Sequence, residues 1–173
     1  MDSIVIAGNP KPNSRTLDAA TRVAALLSGT QPEVVDVISL GPGLFGWGDE
    51  TVKAAVETVA SAKLAVFASP TFKGTYTGVL KLFLDQFAAG EGLRGVTAVP
   101  LMLGASPAHA MAPDLTLKPV LVELGACCPA PGLYQVDRTY ATDGTAEAFI
   151  ERWGAALLAT AGGRTGTGAN PAL

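Results

Sequence analysis

The sequence predicts an α/β protein in which a five-stranded parallel sheet carries helices on both faces. Short apolar runs alternate with segments whose apolar residues recur at helical spacing, giving the order β-α-β-α-β-α-β-α-β-α. The run 63–68, Lys-Leu-Ala-Val-Phe-Ala, is almost continuously apolar, which is typical of a strand buried on both faces. Ligands of such sheets bind at the carboxyl ends of the strands, so the loops that follow the strands are the candidate site.

The first half of the chain contains three predicted strands. The first, 4–7, leads through a polar loop into a helix that starts near Leu17 and stops at Gly29. The second, 34–38, precedes a glycine-rich segment and a helix for which Asp49 is a plausible N-terminal cap. The third is the run 63–68, followed by a loop and an amphipathic helix.

The second half repeats this pattern less clearly. A fourth strand covers 96–103, with Pro100 expected near its end. Pro119 lies inside the next helical pattern and predicts a kink or a late helix start. A weak fifth strand falls within 126–136, and a last helix carries apolar residues from 146 to 157.

Length and composition favour one domain, 1–161, with a flexible tail at 162–173. Of the 173 residues 49% are hydrophobic and 16% charged, which argues against disorder. A net charge of −3 and 6% aromatic residues give no nucleic-acid footprint. No uncharged apolar run reaches the roughly 18 residues of a membrane span, and the N-terminus lacks a basic leader region. We therefore expect a cytoplasmic protein that binds neither membrane nor nucleic acid.

Metal-binding and disulfide patterns are missing from the sequence. Cys127 and Cys128 are adjacent, which supports neither a disulfide framework nor a zinc site, and His109 is the single histidine. The cysteines are most simply core residues at a strand start. We expect no metal, and no side-chain acid–base pair is evident, which fits chemistry carried by a cofactor.

The loop after the first strand has the composition of an anion site. Ser14, Arg15 and Thr16 stand where the chain enters a helix, and free N–H groups and the helix dipole both favour an anion there. The guanidinium of Arg15 suits phosphate oxygens. The alternative is that Ser14 or Thr16 simply caps the helix.

Two further loops have the composition of a site for a flat ring. The loop from Pro70 to Gly74 offers backbone groups and the aromatic side chain of Phe72. The turn Gly104-Ala105-Ser106 has no bulky side chain, so a ring could press against its backbone.

Two other motifs match known sites only formally. Gly41-x-Gly43-x-x-Gly46 follows the second strand rather than the first and contains Pro42, so it is better interpreted as a flexible loop, a lid or a subunit contact than as a dinucleotide site. Gly104-x-Ser106-x-Ala108 resembles a hydrolase nucleophile elbow, but the next residue, Pro107, has no N–H for an oxyanion.

Three segments resemble the NAD(P)H-dependent FMN reductase family of flavodoxin-like proteins, from about Ser3 to Trp153. The segment G-N-P-K-P-N-S-R-T is similar to the family's phosphate loop, and S-P-T-F-K-G-T-Y-T-G-V-L-K-L-F-L-D to its flavin-ring loop. The third, G-A-S-P-A-H-A-M-A-P-D-L-T-L-K-P-V-L, looks like the sulfonate-utilisation FMN reductases.

The resemblance implies a flavodoxin-like sheet of order 2-1-3-4-5, FMN as cofactor, NADPH or NADH as hydride donor, and no catalytic side chain. It implies a homodimer or homotetramer, with a flavin-dependent monooxygenase as a possible recipient of reduced FMN. His109 is implied near the nicotinamide or a subunit contact, or packs structurally. The implied FMN-binding residues are Asn9, Ser14, Arg15, Thr16, Pro70, Thr71, Phe72, Lys73, Gly74, Gly104, Ala105 and Ser106.

Departures from the family pattern keep alternatives open. Asn9 replaces a Ser, Phe72 replaces a Tyr, and Leu115 stands where several two-component reductases carry a Tyr. Whether FMN is released or stays bound is therefore open. The alternatives are a flavodoxin-like electron carrier without a pyridine-nucleotide site, a quinone, azo-dye or chromate reductase with FMN as prosthetic group, and a non-catalytic nucleotide-sensing subunit.

Overall fold

Five parallel strands form one sheet of order β2-β1-β3-β4-β5 in the computed structural model, which describes residues 2–163. Every neighbouring pair in the sheet is parallel. The predicted flavodoxin-like order and the parallel sheet are both confirmed. The strands are β1 Ser3–Ala7, β2 Glu33–Asp36, β3 Leu64–Pro70, β4 Thr97–Gly104 and β5 Leu133–Val136.

Helices cover both faces of the sheet because the three central strands are apolar on both sides. Val5 and Val66 are neighbours in the register, and both pack into the core shared with the first and last helices. Ile6 and Phe67, one residue further along, pack into the core of the opposite face. The helices are α1 Arg15–Ser28, α2 Glu50–Ser61, α3 Gly78–Leu84, α4 Lys118–Glu123 and α5 Thr145–Gly162.

The predicted helix ends are confirmed at three places. Ser14 caps α1, its Oγ accepting the N–H of Leu17 at 3.2 Å. Gly29 ends α1 in the left-handed conformation, with φ of 73°. The Asp49 carboxylate caps α2 by accepting two backbone N–H groups.

The second strand is shorter than predicted, and the glycine-rich segment is helical. Val37–Phe45 forms 3₁₀ turns that are interrupted at Gly41, where φ is 63°. The Ser39 hydroxyl donates to the carbonyl of Asp36 at 2.6 Å, a local bond that competes with extension of the strand. The prediction of a strand reaching residue 38 was therefore wrong.

Pro100 lies in the middle of β4 rather than near its end. The N–H of Thr97 points to Lys63 on the β3 side, and that of Ala98 points to Cys127 on the other side. By alternation, position 100 faces the side of β5, whose pairing with β4 starts only at Leu101. The missing N–H of Pro100 therefore removes no bond of the ladder.

The sequence predicted a kink or a late helix start around Pro119, and the structure shows a change of helix type there. Pro113–Leu117 forms a π-helical turn, and α4 follows directly from Lys118. Pro119 thus lies immediately after the π-helical turn, the kind of irregularity that accommodates a proline within a helix.

The two cysteines are free and lie beside the start of β4. Cys128 packs against the core under α3 and α4, and this burial raises the pKa of its thiol to about 11. Both observations agree with a structural role.

Within residues 2–163, no helix combines the length and apolarity needed to cross a bilayer. The α5 helix ends at Gly162, one residue past the predicted domain boundary, and the predicted tail lies outside the described residues from 164 onwards.

Candidate functional site

The loops that follow β1, β3, β4 and β5 are tied together at the carboxyl edge of the sheet. Each tie is a backbone hydrogen bond. The N–H of Gly8 donates to Ala68 at 2.8 Å, that of Thr71 to Leu103 at 2.6 Å, and that of Asp137 to Gly104 at 2.9 Å. These bonds to the strands fix the positions of the loops relative to one another. The sequence predicted that the loops after β1, β3 and β4 would meet at this edge.

A cavity of about 380 Å³ opens between these loops. Its volume is within the range of small-molecule sites. Nine of the predicted site residues line it. The full lining is Asn9, Lys11, Asn13, Ser14, Arg15, Thr16, Pro70, Thr71, Phe72, Leu103, Gly104, Ala105 and Asp137.

One end of the cavity is formed by the N-terminus of α1 and is suited to an anion. The cap by Ser14 uses the N–H of Leu17, so the N–H groups of the first two helical residues, Arg15 and Thr16, have no partner within the helix. The hydroxyl of Ser14 accepts in this cap and keeps its own proton for donation. The capping interpretation of Ser14 is confirmed and is compatible with an anion site.

Asn9 lines the cavity and also makes two hydrogen bonds with its own loop and the start of α1. Its Nδ2 donates to Thr16 Oγ1 at 3.0 Å, and its Oδ1 accepts the N–H of Lys11 at 2.9 Å. The side-chain amide therefore braces the loop against the start of α1.

Arg15 is oriented by Asp137. The Nη1 atom of Arg15 donates to the carbonyl of Asp137 at 3.1 Å and lies 3.5 Å from Asp137 Oδ2. The Arg15 side chain is 63% exposed and that of Asp137 is 32% exposed. The charge of the guanidinium at this end is thus partly balanced by a carboxylate of the chain.

A second carboxylate, that of Asp36, accepts a hydrogen bond from the loop after β1. Its Oδ2 accepts the N–H of Asn13 at 3.3 Å, and Asn13 adopts a left-handed conformation with φ of 50°. Burial raises the pKa of the Asp36 carboxyl, and the bond from Asn13 offsets part of that rise.

The other end of the cavity is aromatic. Phe72 and Thr75 exchange two backbone hydrogen bonds around the two-residue turn Lys73-Gly74, in which φ is 54° and 83°. Positive φ at both central residues is the mark of the type I′ hairpin turn. This tight turn holds Phe72 at the cavity mouth with its side chain 51% exposed.

The third wall is the turn after β4. The Tyr134 side chain passes over Gly104, and its hydroxyl donates to the carbonyl of Ser106 at 2.7 Å. A Cβ at Gly104 would overlap Tyr134 Oη and lie 2.9 Å from its Cζ. Glycine is thus required for this bond, which holds the backbone of the turn in place.

Four predicted residues lie outside the cavity. Lys73 is at the tip of the hairpin turn, and Ser106 contributes its carbonyl to Tyr134. Gly74 and His109 line a smaller cavity of about 250 Å³ next to the first, together with Met111 and Leu115. A Cβ at Gly74 would lie 3.6 Å from the His109 ring, so the ring packs against the turn that carries Phe72.

Four lining residues were not among the predicted set. Lys11 and Asn13 belong to the same polar loop, and Leu103 is the last-but-one residue of β4. Asp137 directly follows β5. The rule that parallel strands end at one edge would have identified it, but the weak signal of the fifth strand left its end undefined.

A larger cavity, about 740 Å³, lies at the opposite edge, between Ser3, Glu33 and Lys63. These residues are at the amino ends of β1, β2 and β3. Ligands of doubly wound sheets bind at the carboxyl ends of the strands. We therefore assign the site to the smaller cavity, which lies at that edge and has the polar and aromatic lining described above.

Comparison with known proteins gives consistent results. The family model for the NADPH-dependent FMN reductases matches residues 1–141. The FMN reductase (NADPH) of Escherichia coli K12 is 32% identical over 131 residues, which are 73% of this chain and 68% of that protein. The NADH-dependent FMN reductase SfnF of Pseudomonas fluorescens Pf0-1 is 26% identical over 149 residues, covering 80% and 78% of the two chains.

Solved structures resemble this fold in the same way. An apo NADH:FMN oxidoreductase, EMOB, superposes with a TM-score of 0.80 at 29% identity, covering 96% of this chain and 91% of that one. A flavodoxin from Streptococcus pneumoniae TIGR4 shares the fold with a TM-score of 0.59 at 19% identity, covering 91% and 97%. The match of the family model over residues 1–141, together with these relatives, establishes that the chain belongs to the family of NADPH-dependent FMN reductases.

Proposed function

We propose that this protein is an NAD(P)H-dependent flavin reductase that binds FMN in the cavity at the carboxyl edge of the sheet. One observation carries the proposal. A single cavity joins an anion-binding helix N-terminus to a hairpin that presents an aromatic side chain, on a chain of the FMN reductase family. FMN has a phosphate at one end and a flat ring at the other, which matches both ends.

The residues of the cavity fit FMN. The hydroxyl of Ser14, the free N–H groups at the start of α1 and the Arg15 guanidinium form a donor set for phosphate oxygens. The hydroxyl of Thr71 lies at the ring end and has no partner among the described residues. A ligand with polar atoms along its ring edge would supply one.

Bound FMN would supply the ring that accepts a hydride from the pyridine nucleotide. The chain's own residues bind and orient. Arg15 and the start of α1 hold the phosphate, while Pro70 and Phe72 hold the plane of the ring. Phe72 is half exposed, and a nicotinamide would approach the ring from this open side.

Replacing Arg15 tests the assignment of the phosphate end. Arg15→Ala should weaken FMN binding by about 1.5 kcal/mol, the low end for a hydrogen bond to a charged group, because the side chain is largely exposed. Binding of riboflavin, which lacks the phosphate, should stay unchanged. Titration of flavin fluorescence measures both.

Arg22→Ala is the matched control, since Arg22 lies on the same helix and donates to the carbonyl of Ala141 away from the cavity. Equal losses for FMN and riboflavin in Arg15→Ala would show that the phosphate lies elsewhere.

We also propose that the protein passes reduced FMN to a monooxygenase or a small acceptor, and that it forms a homodimer or homotetramer. Phe45 and Trp47 support self-association, because they are 81% and 77% exposed and lie two positions apart in one surface segment. A light-scattering mass equal to that of the monomer would contradict it.

A further inference from the structure

We propose that Asp137 is a specificity-determining residue that weakens the hold of the site on phosphate by competing for Arg15. This inference rests on the proposed function and deepens it. It addresses whether FMN is kept as a prosthetic group or exchanged as a substrate.

The first observation is the contact itself. Arg15 Nη1 is 3.1 Å from the carbonyl oxygen of Asp137 and 3.5 Å from its Oδ2. Arg15 is the first residue of α1, and Asp137 follows β5. Two groups 122 positions apart therefore meet at the anion end of one cavity.

The second observation is that Asp137 is held in place. Its N–H donates to the carbonyl of Gly104 at 2.9 Å, so its backbone continues the β5 ladder. The Arg15 side chain is flexible and 63% exposed. When a phosphate binds, Arg15 is therefore the partner that moves, and the Asp137 carboxylate stays beside the site.

The third observation is the balance of charge around the anion end. Lys11 and Arg15 are the cationic side chains that line the cavity, and Asp137 is the anionic one. Asp36 adds a second carboxylate behind Asn13. A phosphate that binds Arg15 therefore shares the guanidinium with Asp137 and has the negative charge of its carboxylate as a neighbour.

The energetic consequence is modest, because the pair is exposed enough for water and salt to screen it. We expect removal of the Asp137 charge to tighten FMN binding about three- to tenfold at low salt. Riboflavin has no phosphate and should not respond. With Asp137 present, the site releases FMN more readily, as a reductase that treats flavin as a substrate requires.

The test compares Asp137→Asn with wild type by fluorescence titration of FMN and of riboflavin, at low and at high salt. The expected result is a three- to tenfold lower Kd for FMN in the variant, a riboflavin Kd within twofold of wild type, and a smaller FMN effect at high salt. Glu147→Gln is the matched control. Glu147 pairs with Arg22 at 3.7 Å; this pair also starts from α1, but it reaches α5 instead of the loop after β5 and lies outside the cavity lining.

Asp137→Glu keeps the negative charge and should retain the wild-type affinity for FMN. This variant separates the effect of charge from any structural effect of the asparagine side chain in Asp137→Asn. An FMN affinity that is unchanged or lower in Asp137→Asn would overturn the proposal, and so would an equal change for riboflavin. If wild type binds neither flavin, the proposed function itself fails. If it binds FMN and Asp137→Asn binds it no more tightly, only the role of Asp137 fails.

Discussion

Single residues around the cavity serve the fold and the proposed ligand at the same time. Ser14 accepts the N–H of Leu17 as a helix cap while its hydroxyl proton stays available. Asn9, which lines the cavity, uses both polar atoms of its amide to brace the loop against the start of α1. The observed geometry of Ser14 is therefore compatible both with a helix cap and with an anion site.

Cys128 provides a prediction at the scale of one side chain. Burial raises the pKa of its thiol from 9.0 to about 11, and the nearby Lys118 offsets only part of this rise. Only the thiolate reacts with disulfide reagents, so two pKa units mean about 100-fold less reactive form well below pH 9. In a Cys127→Ser variant, Cys128 should react with a disulfide reagent at pH 8 at least about tenfold more slowly in the folded than in the unfolded protein, because the higher nucleophilicity of a high-pKa thiolate offsets part of the loss of thiolate.

The Cys128→Ser variant, which retains Cys127, serves as the control for reagent access to this segment. Equal rates for Cys128 in the folded and unfolded protein would contradict a buried structural role.

Pairs of elements, rather than single residues, hold the loops of the site. The loop after β1 meets the start of α3 through the Thr77 hydroxyl, which donates to the carbonyl of Gly8 and accepts the N–H of Leu80. A Cβ at Gly8 would overlap Leu80 Cβ and lie 2.9 Å from Leu80 Cα, which is backbone. Gly8 therefore allows the close contact that fixes the first loop against α3.

Gly8→Ala should accordingly destabilise the protein by about 1–3 kcal/mol, the usual cost of overpacking. Gly78→Ala is the matched control, because Gly78 starts α3 and a Cβ there meets nothing within 4 Å. It should be neutral or slightly stabilising, since alanine favours a helix. Urea unfolding of both variants measures the difference, and equal midpoints would contradict the packing argument.

At the scale of the whole molecule, the sheet was predictable because it is buried on both faces. Apolar runs such as Leu64–Pro70 have few alternatives to a central strand, and helix caps such as Asp49 mark the ends of elements locally. The edge strands were harder to predict. At the end of β2, the bond from Ser39 to Asp36 decides the boundary, and composition does not reveal such a bond.

The candidate site was predictable to the extent that it depends on loop composition. Ser14, Arg15 and Phe72 lie around one cavity because the sheet order brings their loops to the same edge. Asp137 was missed because it follows a short strand and because its contact with Arg15 joins residues 122 positions apart. Tertiary pairs of this kind leave no mark on local sequence.

We propose that this cavity lets a pyridine nucleotide reduce FMN directly. Anaerobic rapid mixing of the FMN-loaded protein with NADPH, and separately with NADH, tests it by following the visible absorbance of the flavin. We predict rapid bleaching with at least one of the two nucleotides, far faster than for FMN without protein. Bleaching no faster than in free solution, despite bound FMN, would contradict the account and favour the electron carrier or the nucleotide-sensing subunit.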